Sequence, residues 1–184
     1  MRASSPLHAP SAIGRARLLF ATLGLLACVS VARQAAAQDS TAASVSVTFV
    51  YDDVFQQDDD LIQLLGGTRW RLLSSALVLP ASKIVIILNK QGTGGTAFLR
   101  RTRVPVVRVS GTPLVRSGVL TQVVRAIGRG AVLQTADGAL WEVPEYDQYD
   151  TGFWLPPYEV LFYGNDLYMF NLRELRRVWV TRSR

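Results

Sequence analysis

Between residues 45 and 181 the chain is a succession of short runs rich in β-branched and aromatic residues, each ended by turn residues. Val45 to Tyr51, Arg69 to Leu73, Lys83 to Leu88, Ala97 to Arg101 and Val106 to Val109 come first. Val119 to Ala126, Ala131 to Thr135, Leu140 to Val143, Val160 to Tyr163, Leu167 to Phe170 and Val178 to Thr181 follow. Runs of this length read as strands. Asp137-Gly138 lies between apolar segments, the signal of a tight hairpin, and Gln91 to Gly95 and Gly164-Asn165-Asp166 supply further turns. Short strands at such close spacing close into barrels or pack as sandwiches, so the fold class is all-β. One short helix is expected at Asp58 to Leu65, where aspartates cap the positive end and Gly66-Gly67 ends it. Ile84 to Leu88 is apolar on both faces and belongs in a central or covered strand.

Two halves of this pattern resemble one another. Trp70-Arg71 falls over Trp141-Glu142, Leu79-Pro80 over Leu155-Pro156, and Ile84 to Ile87 over Val160 to Tyr163. Thr96 to Leu99 then falls over Leu167 to Phe170, and Val107 to Val109 over Val178 to Val180. Such a spacing, kept with few identities, is the mark of an internal duplication. The plainer alternative is that any two six-strand units share an alternating pattern. The expected layout is a leader at 1–37, a linker at 38–44, a basic unit at 45–112 and a second unit at 113–184 with acidic and aromatic residues.

Composition narrows the chemistry. His8 and Cys28 are the only histidine and cysteine, and both lie in or before an apolar leader. The remaining residues cannot form a Ser-His-Asp triad, a Cys-His pair or an imidazole or thiolate zinc site. The expectation is a protein that is not an enzyme and carries neither metal nor cofactor. In the leader, Arg2, Arg15 and Arg17 precede the apolar run Leu18 to Ala32, and small residues follow at Ala35 to Ala37. That is the plan of a signal peptide cleaved after Ala37. Leu25-Leu26-Ala27-Cys28 also resembles a bacterial lipobox, with lipid on Cys28, and a retained anchor is the third reading. All three place the folded part outside the cytoplasm, since arginines flank the inner end of the apolar run, and the expected location is periplasmic and membrane-associated.

Charge is unevenly placed. Residues 38–60 hold six acids and no base, residues 61–136 eleven bases and no acid, and residues 137–184 eight acids and five bases. Such segregation orients a partner and speeds its encounter. Nucleic acid is not the expected partner, because aromatics do not alternate with the arginines as a stacking platform requires. Anionic lipid or a protein surface fits better.

Three groups are site candidates. Arg100, Arg101, Arg103 and Arg108, with Arg173, Arg176 and Arg177, fall at matching ends of the two halves and form a candidate partner-binding basic face. Trp141, Tyr146, Tyr149, Phe153 and Trp154 are interleaved with Glu142, Glu145, Asp147 and Asp150 in a candidate ligand or partner loop. Asp52, Asp53, Asp58, Asp59 and Asp60 lack the spacing of a calcium loop and read as caps and solvated charges.

On Trp70/Trp141, the two Leu-Pro pairs and the closing valine strands, the segment 45–182 resembles the tandem SH3-like small barrels of bacterial envelope proteins. The resemblance implies two barrels, each plugged by a tryptophan, and a long loop lining a ligand groove in the second. It implies no active site. The functional expectation is a structural or interaction subunit at the periplasmic face of a membrane, accessory to a larger complex such as a respiratory or photosynthetic one. The alternative is a free periplasmic module that takes a peptide or glycan on the Trp141–Trp154 loop.

Overall fold

The computed structural model describes residues 44–165 and 167–183. The leader, with Cys28 and the Ala37 junction, and nearly all of the expected linker lie outside the described residues. Six antiparallel strands form the first unit: β1 (Val45–Asp58), β2 (Leu61–Leu64), β3 (Arg69–Leu72), β4 (Lys83–Leu88), β5 (Gly94–Leu99) and β6 (Thr102–Ser110). They pair in the order β1-β2-β3-β6-β5-β4, and β4 pairs back onto β1, which closes a six-stranded barrel. Closure leaves no open sheet edge.

The second unit contains β7 (Val115–Ile127), β8 (Val132–Thr135), β9 (Leu140–Glu142), α1 (Glu145–Thr151), β10 (Tyr158–Tyr163), β11 (Tyr168–Asn171), β12 (Arg176–Trp179) and β13 (Thr181–Arg182). Its pairings repeat those of the first: β7 with β8 and β10, β8 with β9, and β10 with β11. β12 pairs with β11 and β13 with β9, and only Val180 separates them, so one bent stretch of chain does the work of β6. Even the irregularities match. β1 carries a bulge at Phe55 and β7 one at Val124. Each bulge bends its strand from the neighbouring barrel toward its own hairpin partner.

Register corrects the sequence overlay in two places. Val85 faces Phe98 and Leu161 faces Phe170, so Phe98 and not Leu99 is the counterpart of Phe170. Phe98 faces Arg103 and Phe170 faces Arg177, which makes Val104 and Val106 the counterparts of Val178 and Val180. These four valines are buried, whereas Val107 and Val109 are exposed. The cause is turn length: Arg100 and Arg101 alone join paired Leu99 and Thr102, while Leu172 to Leu175 join paired Asn171 and Arg176.

The helix expected at Asp58 to Leu65 is not formed. Asp59, at φ 53°, turns a hairpin, and Leu61–Leu64 is strand. Alternation decides it: period two sends both Ile62 and Leu64 into the barrel beside Trp70, burying side chains worth about 1.5–3 kcal/mol each. The short helix occurs instead as α1, between β9 and β10.

Each barrel has its own interior. Trp70 packs with Ile62, Leu64, Ile84 and Ile86 in the first, and Trp141 with Leu133, Val160, Phe162 and Met169 in the second. Both indoles donate to a threonine hydroxyl, Trp70 to Thr68 at 2.9 Å and Trp141 to Thr135 at 3.2 Å. A third apolar cluster joins the barrels, with Val85, Phe98, Leu161 and Phe170 at its centre. This is why β4 is apolar on both faces, as expected: Ile84 and Ile86 point inward and Val85 outward onto the second barrel.

The barrels are also joined through strand pairing. Val45 to Val50 of β1 lie antiparallel to Leu120 to Val115 of β7. The shift of 69 residues that superposes the two bulges carries Ser46 to Val115 and Val50 to Val119, so the pair Ser46–Val119 maps onto the pair Val50–Val115. The junction is therefore a local twofold axis. Gly118 lies beside it, where a Cβ would come within 2.5 Å of the Phe162 carbonyl oxygen.

Candidate functional site

Two clefts straddle this axis, one at each end of β4. The larger, of about 790 Å³, is walled by two pairs of equivalent loops. The first barrel supplies the β3–β4 loop and the β5–β6 turn, and the second supplies the α1 region and the β11–β12 turn. The two turns touch: the Arg101 backbone N–H donates to the Arg173 carbonyl oxygen at 2.9 Å.

Local chemistry fixes both loops. Gln57 clamps the β3–β4 loop by donating to the Ala76 carbonyl at 2.8 Å and accepting from the Val78 N–H at 2.6 Å. Val78 is thereby buried while Leu77 is left 86% exposed. On the other side, the Thr151 hydroxyl at the end of α1 donates to the Gly130 carbonyl, and Asp147 accepts the Trp179 N–H at 2.8 Å. Phe153 and Leu155 emerge beyond α1 at 71% and 76% exposure, and Leu79 opposite them at 62%. The two Leu-Pro pairs, read from sequence as packing motifs, thus present their leucines to solvent.

The aromatic loop divides in two. Trp141 and Trp154 are only 7% and 5% exposed and belong to the second barrel's interior, so neither is available for stacking on a ligand. Tyr146, Tyr149 and Phe153 are exposed, and Tyr149 meets Phe153 edge-on at 5.4 Å. Two of the loop carboxylates already have partners: Asp147 holds Trp179, and Asp150 pairs with Arg176 at 3.2 Å.

The seven arginines do not form one face. Arg103 and Arg177 are structural equivalents placed against aromatic rings. Arg103 stacks over Phe98 and pairs with Glu159 of the other barrel at 2.7 Å. Arg177 lies over Tyr168 and donates to the Tyr163 hydroxyl at 3.4 Å, a bond that favours its charged form. Arg108 sits opposite Trp70, on the β3–β6 side of the first barrel. Arg100, Arg101 and Arg176 line the large cleft, and Arg173 adjoins them through the contact of the two turns. Arg101 and Arg173 share Glu174, at 3.5 and 3.9 Å, and Arg100 has no carboxylate within 4 Å among the described residues. Lys83, also at the cleft, is bonded to Asp53, which raises its pKa.

The aspartates of the first hairpin are caps and pair members. Asp52 accepts the Gly66 N–H, and Asp60 lies 3.3 Å from Arg71. Among the described residues no group of three or more His, Cys, Asp or Glu side chains is placed to hold a metal, and no helix is long and apolar enough to cross a membrane. Gln91 to Gly95 is a hairpin turn running into β5, as expected.

Sequence reading did not find Leu77, Leu79 and Leu155 as surface residues. The available signal was the prolines that follow Leu79 and Leu155, which keep both leucines out of a strand. Comparison with protein families, curated proteins and solved structures finds no match to this chain.

Proposed function

We propose that this protein is a non-enzymatic, exported interaction subunit that works at the periplasmic face of a membrane as an accessory to a larger complex. The observation that carries the reading is the exposure of Leu77, Leu79 and Phe153 in the walls of one cleft, with exposed Leu155 next along the chain from its lining residue Trp154. Apolar side chains grouped on one face of a small domain mark a docking surface. The joined barrels offer a rigid platform for them, because an apolar cluster and a strand pairing both cross the junction. The finer assignment to SH3-like envelope barrels is part of the same proposal and rests on the paired tryptophans and the repeated strand order.

The test is mild-detergent solubilisation of native membranes, gradient separation and mass spectrometry of the fraction holding the chain. Co-migration with a large complex at fixed ratio supports the reading, and recovery as a small soluble species removes it. Intact mass in the same fraction decides between cleavage after Ala37 and lipidation of Cys28. The exposed Tyr149–Phe153 pair favours one alternative, a free periplasmic module binding a peptide or glycan. That alternative now rests on Tyr146, Tyr149 and Phe153 without the two tryptophans.

A further inference from the structure

We infer that the large cleft on the local twofold is a binding site for an extended acidic segment of a partner protein, one that alternates apolar and carboxylate side chains. The inference rests on the interaction-subunit reading and names the chemistry of its partner. About 790 Å³ falls within the range of roughly 300–1,000 Å³ typical of ligand sites. Its walls are apolar at Val78, Leu99 and Leu175, and its cations are Lys83, Arg100, Arg101 and Arg176. The only acids lining it are Asp150 and Glu174, and each is already paired with an arginine of the cleft. Arg100 is left to recruit a carboxylate, and the guanidinium fork suits that group.

Backbone conformation gives independent support. Six non-glycine residues among the described ones have positive φ, and three adjoin this cleft: Ala81 at 61°, Arg101 at 66° and Leu175 at 54°. Arg101 and Leu175 occupy equivalent turns of the two barrels. The left-handed conformation costs a residue with a Cβ about 1–2 kcal/mol, and residues so held cluster at binding sites. Glycine at the Arg101 position would take this φ without that cost, yet the β5–β6 turn holds two arginines.

A protein segment fits better than an anionic bilayer. Asp150 and Glu174 line the cleft among its arginines and would be pressed against a flat anionic surface together with them. A single extended segment has side chains pointing alternately to two sides, so its carboxylates can meet Arg100 and Arg101 while its apolar groups meet the cleft wall.

The test uses the full chain and two pools of fluorescein-labelled eight-residue peptides. One pool alternates Leu, Val or Phe with Asp or Glu, and its control substitutes Lys or Arg for the acids. Fluorescence anisotropy should show micromolar binding of the acidic pool alone. Arg100→Glu should weaken it at least tenfold with or without Arg101→Glu, while Lys90→Glu, the same single charge reversal as Arg100→Glu but at the opposite cleft, should leave it within twofold. Equal binding of both pools, or no effect of the double substitution, overturns the inference. Arginine-dependent sedimentation with phosphatidylglycerol vesicles in the absence of peptide binding also overturns it, in favour of a membrane. If the chain co-migrates with a complex yet ignores the acidic pool, only the cleft assignment fails. If it does not co-migrate, the functional reading fails first.

Discussion

Replacing Tyr158 with phenylalanine should make this protein more stable. Tyr158 lies on β10 inside the second barrel, its ring edge-on to Trp154 at 5.7 Å, and its hydroxyl is buried with no hydrogen-bond partner. A buried hydroxyl left unpaired costs about 1–3 kcal/mol, and phenylalanine keeps the ring while removing the oxygen. A gain of about 1–2 kcal/mol is expected, and a melting temperature higher by roughly 2–8 °C for a domain of this size. Guanidinium unfolding followed by tryptophan fluorescence reads it directly. Burial also raises the Tyr158 pKa, so the folded protein holds the phenol neutral where the unfolded chain begins to ionise, near pH 10. The stability tied to this group is complete below about pH 10 and is lost as pH rises toward the folded pKa. By pH 11 the loss is on the order of 1 kcal/mol, and Tyr158→Phe should abolish that part of the alkaline slope. A destabilisation of about 1 kcal/mol or more on substitution would refute the reasoning, because it would mean that the hydroxyl is satisfied. Thr121 is the control, since its hydroxyl is likewise buried without a partner on β7. If Thr121→Val is also destabilising, a shared water between the two hydroxyls becomes the better account.

Other substitutions probe the junction, the turns and the plugs. Gly118→Val should destabilise by about 2–3 kcal/mol and broaden the unfolding transition, because its Cβ would press on the Phe162 carbonyl oxygen where the barrels pair. Arg101→Gly should raise stability by up to about 1 kcal/mol, by relieving the left-handed turn, while weakening capture of the acidic peptide pool. Asp137 accepts from the Thr135 hydroxyl and the Ala139 N–H, and its pKa is lowered chiefly by the first. Its contribution is present above about pH 4 and is lost as pH falls through the lowered pKa, so Asp137→Ala should flatten the acid limb of a pH titration of stability. Trp70→Ala should cost about 3–5 kcal/mol, as expected for emptying a barrel interior, and near-native unfolding would contradict the plug assignment.

Strand identity was legible because alternation and turn residues act locally. Lys83 to Leu88 was read to the residue, and its double-sided apolarity announced the junction now seen at Val85. The repeat was legible where the tryptophans fixed it and slipped where turn lengths differ, since two arginines in one turn and four residues in the other leave no trace in hydropathy. Asp58 to Leu65 misled because acidic residues before an apolar run serve a hairpin turn as well as a helix cap. The arginines of the cleft were among the candidates, but nothing local separated Arg100 and Arg101 from Arg103, which faces Glu159 across the barrel junction. The cleft itself could not be read, because its walls come from segments about 75 residues apart that meet only once both barrels have closed and paired.

The seam at Val45 to Val50 and Leu120 to Val115 has a consequence for ancestry. A lone barrel carrying such a strand is its own complement, and two identical copies would pair in this same way to give a homodimer. Joining the copies in one chain removes the obligation to keep both sides alike. The divergence is visible: residues 45–112 hold eight bases and five acids, whereas residues 113–184 hold eight of each. A symmetric dimer would have to offer its ligand two equal walls, whereas the fused form can give one wall to charge attraction and the other to aromatic contact.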